Sequence, residues 1–212
     1  MLIGAVVTLL SGVLIGLYLL TQSGALLFWI GLGGVLVVIT YTAGPFPLAY
    51  NGLGETAVFI FMGPVMVLGA YYVMAREFAW TPVLAGIPIG FMVAAILHAN
   101  NIRDLDADRA VNKRTLAVLL GLRAARIEYV VLVGGAYVAV AGLILAGIMP
   151  ITALLVVITL PEAYRLIRII TTSTETPLLH QAQGRTAKLH GQFGLWLVVG
   201  WLVGLALSAI IR

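Results

Sequence analysis

Apolar runs of about 20 residues, the length a helix needs to cross a hydrocarbon core, recur along this chain from end to end. No polar stretch between them is long enough to form a soluble domain. Inside lipid a backbone must satisfy its own hydrogen bonds, which helices do within one segment. The expectation is an all-α polytopic membrane protein, a single membrane domain over residues 1–212. Composition agrees, because hydrophobic residues make up 62% and charged residues 9%, against roughly 45–50% and about 25% in soluble domains.

Seven spans are predicted, at Met1–Leu20, Gly24–Thr42, Glu55–Ala75, Thr81–Ala99, Ala124–Ile148, Pro150–Ile170 and Gly191–Ile211. Thr21–Ser23 and Met149 then serve as tight turns. If the spans alternate sides, ten of the twelve basic residues fall on the face that carries the connections after spans two, four and six, leaving Arg76 and Arg212 opposite. The excess of basic residues on cytoplasmic loops places that face and the N-terminus in the cytoplasm and the C-terminus outside. This topology accounts for the net charge of +4 and the pI near 9.6, so a nucleic-acid partner is not expected. The chain has no cysteine, which excludes disulfides and thiolate metal sites. Its first residues lack the basic region and cleavage signature of a removable signal peptide.

Within the spans, Gly12/Gly16, Gly86/Gly90 and Gly200/Gly204 have the four-residue spacing that lets helices approach closely in lipid. Pro64, Pro88 and Pro161 predict kinks. Two prolines and three glycines make Ala43–Gly54 an ordered turn. Glu55 follows as an acid suited to the positive end of the next helix.

Charge concentrates in one place. Seven of the 20 charged residues, Arg103, Asp104, Asp106, Asp108, Arg109, Lys113 and Arg114, lie within 12 consecutive positions. A helix through this stretch aligns Asn101, Asp104 and Asp108 on one face. Asp106 falls on another face, within reach of Arg103 and Arg109 as a charge partner. Carboxylate and amide oxygens suit Mg²⁺, which takes one or two protein carboxylates and completes its shell with water and substrate phosphate. Lys113 and Arg114 add donors for phosphate oxygens. The pattern fits either a metal–diphosphate site or a solvated loop whose charges fix topology.

The segment HANNIRDLDADRAVNKRTLAVLLG, at 98–121, resembles the second aspartate-rich motif of the UbiA superfamily of intramembrane prenyltransferases. With YTAGPFPLAYNGLGE at Tyr41–Glu55 and TAKLHGQFGL at Thr186–Leu195, it is similar to the branch that prenylates 1,4-dihydroxy-2-naphthoate in menaquinone synthesis. The resemblance implies a ring of helices around a cavity, with Mg²⁺ held against a polyprenyl diphosphate. It implies that Asp104 and Asp108 are the metal-binding and catalytic carboxylates, with Asn100, Asn101, Arg103, Lys113 and Arg114 around the diphosphate. The aromatic acceptor would be the naphthoate, and the bilayer would surround the site. Tyr71, Tyr72, Phe91 and His98 are candidates to line the cavity.

The sequence departs from the family pattern in three places. No Asp precedes Asp104, so the first aspartate motif has no counterpart, and the chain is expected to match a member lacking its first two helices. Asn51 stands where relatives often carry a basic residue, and Asn112 where glycine commonly precedes the lysine. Two other functions are weighed against prenyl transfer. One is a transporter with a cation-binding cytoplasmic loop, disfavoured by the lack of ionisable residues at mid-span. The other is a truncated, non-catalytic family member that binds prenyl lipid.

Overall fold

The computed structural model describes residues 2–211, which leaves Met1 and Arg212 outside it. The described residues are helical with no strand, and α1 covers Leu2–Ser23 and α2 Ala25–Thr42. The first turn is therefore not Thr21–Ser23, which stays helical. The chain reverses at Gly24 alone, whose φ of 110° is open only to a residue without a Cβ.

The next two spans are each built from two pieces. Gly54–Met62 (α3) and Pro64–Ala75 (α4) are separated by Gly63, and Trp80–Ala85 (α5) and Ile87–Arg103 (α6) by Gly86. Pro64 and Pro88 sit in the first turns of α4 and α6, where a proline's missing N–H leaves no gap. The two breaks abut. A Cβ built on Gly63 would lie 2.6 Å from the Gly90 Cα, and one on Gly90 would lie 2.6 Å from the Phe59 carbonyl oxygen. Backbones this close leave no room for any side chain.

Two short helices, Leu105–Ala110 (α7) and Leu116–Leu120 (α8), lead into Leu122–Leu145 (α9). The predicted span at Pro150–Ile170 is instead a 3-10 stretch, Ile151–Thr159, running into Leu160–Thr172 (α10). Pro161 lies in the first turn of α10, where its missing N–H leaves no gap. The last helix, α11, covers Thr176–Ile211, 15 residues earlier than its predicted start at Gly191. Arg185, Lys188 and His190 break the apolar run there, but Leu179, Ala182, Thr186, Leu189, Phe193 and Leu197 form a buried stripe at three- and four-residue spacing. At about 1.5 Å per residue, the 36 residues of α11 exceed a bilayer core, so its polar first half extends past one membrane face.

Among the described residues six helical segments are long and apolar enough to span a membrane: 6–23, 25–42, 54–75, 80–103, 122–145 and 176–210. The chain is a multi-pass membrane protein. Half of the 80–103 span is buried, against 6% and 0% for the first two spans. Thus α6 is the hub, packed by α3, α9 and α11, while α1 and α2 are peripheral. A cavity of about 950 Å³ lies between α1, α2, α3 and α4, walled by Gly12, Gly16, Val35, Phe61 and Met66 and reaching Tyr41 and Ala57. Tyr71, Tyr72, Phe91 and His98 are not among its walls. Tyr71 donates to Glu77 at 2.8 Å, and Phe91 stacks edge-on against Phe59 with ring centres 4.9 Å apart.

The glycine pairs therefore differ in kind. Gly86/Gly90 and Gly200/Gly204 meet neighbouring backbone or side chains, whereas Gly12 and Gly16 border open cavity. Gly90→Ala is expected to destabilise the protein by about 1–3 kcal/mol through overpacking. Gly12→Ala should shift thermal unfolding in detergent hardly at all. Equal shifts for the two variants would contradict the packing described here.

Candidate active site

The site begins with a buried acid. Glu55 lies in the first turn of α3 but is only 4% exposed, and a carboxylate removed from water needs donors. Those donors come from α6, where His98 and Asn101, three residues apart, share the face turned toward α3. His98 Nδ1 lies 3.0 Å from Glu55 Oε1, and Asn101 Nδ2 donates to the same oxygen at 2.8 Å. His98 Nε2 is 2.8 Å from the Ala125 carbonyl oxygen of α9. A carbonyl only accepts, so Nε2 carries a proton, and a second proton lies between Nδ1 and Glu55. One acid thus joins α3 and α6, and its histidine partner extends the link to α9. Glu128 Oε2 approaches His98 Nε2 at 3.5 Å from the α9 side.

This arrangement separates Asn101 from the two aspartates with which it was expected to align. Helical hydrogen bonding does continue through the junction, with Asp104 N–H donating to the Asn100 carbonyl at 3.0 Å and Asp108 N–H to the Asp104 carbonyl at 2.8 Å. Asn101 nevertheless turns inward, because the buried Glu55 carboxylate takes up its amide. The sequence reading assigned Glu55 to helix capping and His98 to the cavity wall. The two partners of Glu55 lie 43 and 46 residues away in sequence, a separation no local pattern reveals.

Toward the membrane face, the remaining residues form three ion pairs. Arg103 Nε donates to Asp104 Oδ1 at 2.7 Å and Arg103 Nη2 to Asp104 Oδ2 at 2.5 Å. Nη2 also donates to Asn100 Oδ1 at 2.8 Å. Arg103 Nη1 reaches α11, donating to His180 Nδ1 at 3.1 Å and to Gln183 Oε1. The Arg103 guanidinium holds the Asp104 carboxyl below the usual carboxylate range, partial burial opposes it, and the charge of Lys113 adds to the lowering. Lys113 Nζ donates to both Asp108 oxygens, at 3.1 and 3.2 Å, and sits 5.9 Å above the Tyr50 ring. Asp106 is 95% exposed and lies 3.6 Å from Arg109, matching its expected role as a charge partner.

The loop after α2 closes over this cluster. Its 3-10 turn at Leu48–Tyr50 is fixed by Asn51 Nδ2 donating to the Pro47 carbonyl at 2.8 Å, and Asn51 and Arg114 form a backbone bridge. Asn112 has a φ of 55°, a left-handed conformation that suits glycine or asparagine. Asparagine is therefore a workable substitute at that turn.

Among the described residues no three His, Cys, Asp or Glu side chains gather as a metal cage. Two carboxylates one helical turn apart, with an amide oxygen at Asn100, still fit a hard cation that keeps most of its shell for water and phosphate. Every donor is oxygen, which favours Mg²⁺ over softer metals.

The profile of the UbiA prenyltransferase family matches residues 1–185. The 1,4-dihydroxy-2-naphthoate octaprenyltransferase of Bacillus subtilis (strain 168) is 31% identical over 191 residues, covering 90% of this chain and 61% of that protein. The Mycobacterium tuberculosis (strain ATCC 25618 / H37Rv) protein of the same name is 38% identical over 125 residues, covering 59% of this chain and 43% of the relative. UbiA prenyltransferase domain-containing protein 1 of Mus musculus is 34% identical over 176 residues, covering 83% and 49%. The chain thus spans 43–61% of the length of these relatives. No solved structure matches.

The buried network yields a stability prediction. Glu55→Ala strands the donors of Asn101 and His98, each costing about 1–3 kcal/mol when buried without a partner. Thermal unfolding of the purified protein should fall clearly for Glu55→Ala and stay near wild type for Asp106→Asn. A wild-type midpoint for Glu55→Ala would show that the network does not hold the helices together.

Proposed function

This chain belongs to the UbiA prenyltransferase family, and we propose that it transfers a polyprenyl group from a prenyl diphosphate to 1,4-dihydroxy-2-naphthoate in menaquinone synthesis. The observation that carries the reading is the pair of carboxylate–cation contacts, Asp104 with Arg103 and Asp108 with Lys113, on one turn at the end of an otherwise apolar bundle. The acceptor follows the names of the bacterial relatives.

In the proposed reaction Asp104 and Asp108 hold Mg²⁺, which when bound neutralises charge on the departing diphosphate. Arg103, Lys113 and Arg114 bind the diphosphate oxygens, with Asn100 orienting Arg103. Asn101 acts one step removed, through Glu55. The C–O bond to the prenyl C1 breaks and its electron pair leaves with the diphosphate. The electron-rich ring carbon of the naphthoate attacks the allylic cation, and the ring carboxylate departs as CO₂. Preformed cationic donors stabilise charge as it develops on the leaving group. The 950 Å³ apolar cavity along α1 to α4 suits a polyprenyl chain, and an apolar surround would shield the cation from water.

Orientation belongs to the same proposal. The face carrying the aspartates is cytoplasmic, supported by the basic residues that gather there, with Arg185 and Lys188 now placed on the protruding half of α11. A cysteine introduced at the exposed Asn112 should react with an impermeant reagent only from the cytoplasmic side. Labelling in intact cells would reverse the topology.

For the chemistry, Asp104→Asn and Asp108→Asn should each lower Mg²⁺-dependent prenyl transfer in proteoliposomes by at least roughly tenfold, or about 1.4 kcal/mol. Asp106→Asn should change it much less. Equal losses at all three positions would mean that net loop charge, and not a ligand face, is what matters. Binding of a prenyl diphosphate without turnover in the wild type would favour a lipid-binding, non-catalytic member.

A further inference from the structure

Away from the aspartate cluster, two arginines at the start of α9 take no part in the site described above. Arg123 is exposed, and Arg126 is half-buried with Nη2 donating to the Ser173 carbonyl just past the end of α10. Arg126 Nε is buried and has no hydrogen-bond partner. A guanidinium N–H shielded from water without an acceptor is uncommon, because losing hydration is not offset. The first turn of α9 contains no acidic residue to balance these charges.

Both arginines border a groove of about 430 Å³ between α9 and α10. Leu122, Ile127, Val130 and Thr171 complete its lining, which contains no carboxylate. The Thr171 hydroxyl is already committed to the Ile167 carbonyl at 2.8 Å, so it offers little to a ligand as a donor. One end of the groove is cationic and the rest is apolar. Ile127 is 60% exposed and faces outward, so the groove opens toward lipid.

We propose that this groove binds one anionic phospholipid, its phosphate against Arg123 and Arg126 and an acyl chain along Ile127 and Val130. Charge complementarity selects the occupant. Planar guanidinium groups pair with phosphate oxygens through two parallel N–H donors, and basic pockets between membrane helices are suited to anionic head groups. A free phosphate leaves the apolar part of the groove unfilled. A zwitterionic lipid brings its own cation against two arginines. The inference does not depend on the proposed reaction.

The test is lipid binding by the purified full chain in neutral detergent, followed by native mass spectrometry with phosphatidylglycerol, phosphatidylcholine and inorganic phosphate. Phosphatidylglycerol should bind at least roughly tenfold more tightly than phosphatidylcholine, about 1.4 kcal/mol, and excess phosphate should not displace it. Arg123→Gln, an exposed change that leaves helix packing intact, should remove most of that preference. Arg126→Gln should do the same, with thermal unfolding recorded to separate loss of the Ser173 contact from loss of lipid. Arg76→Gln, expected on the opposite membrane face, should keep the preference. Equal affinity for the two lipids, an undiminished preference in Arg123→Gln, or displacement by phosphate would each overturn the proposal.

Discussion

The Glu55 carboxylate is the point on which the geometry of the site depends. An ionisable acid inside a helical bundle cannot remain unpartnered, because the surrounding dielectric does not replace its hydration. Two residues of α6 and, through His98, the backbone of α9 are drawn to it. This fixes the rotation of α6 about its axis. Once Asn101 faces α3, Asn100 and Arg103 are turned elsewhere, and Arg103 reaches Asp104 on one side and α11 on the other. A buried hydrogen bond near one end of α6 thereby positions the charged groups in the next turn.

Apolar packing supplies the other half of the architecture. In lipid there is little hydrophobic drive to bring helices together, so close backbone contact and interhelical hydrogen bonds take over. The breaks at Gly63 and Gly86 put α3, α4, α5 and α6 in such contact. At α11, Thr152 Oγ1 donates to the Gly200 carbonyl at 2.6 Å, where glycine again allows close approach. Around α1 and α2, Gly12, Gly16, Gly31 and Gly34 meet nothing within 4 Å, and the space they leave is the cavity. The same residue type closes one interface and opens another, according to whether a neighbouring backbone fills the gap.

These differences show what a sequence can and cannot reveal here. The membrane class and the aspartate cluster were legible because both stand out against composition: apolar runs of spanning length, and charge gathered in a chain nearly devoid of it. Asp106 and Arg109 were legible because their pairing is local. Glu55 was not, since an acid at a helix start has a sufficient local explanation and its partners are distant in sequence. The start of α11 was missed for another reason. Charged residues ended the apolar run at Gly191, although the stripe from Leu179 to Leu197 carried the helical period through them. Hydropathy alone ends a span where amphipathicity continues the helix.

The two levels of polar contact also differ in how easily they exchange partners, and this bears on the proposed chemistry. Removing one member of a buried charged pair costs about 3–5 kcal/mol, whereas pairs open to solvent are worth about 0–1 kcal/mol. The network of Glu55, His98 and Asn101 belongs to the first kind and serves as fixed framework. Asp104, with 33% of its side chain exposed, is nearer the second, and Asp108, buried with 11% of its side chain exposed against a lysine at 23%, lies between the two. Their cations are held in place before substrate arrives but are not locked to them. In the proposed complex Arg103 and Lys113 would turn from carboxylate to diphosphate, leaving the Asp104 and Asp108 oxygens free to hold Mg²⁺. Each charge keeps an opposite charge beside it throughout. The exchange therefore needs little reorganisation, which is the condition under which preplaced groups stabilise a developing charge most effectively.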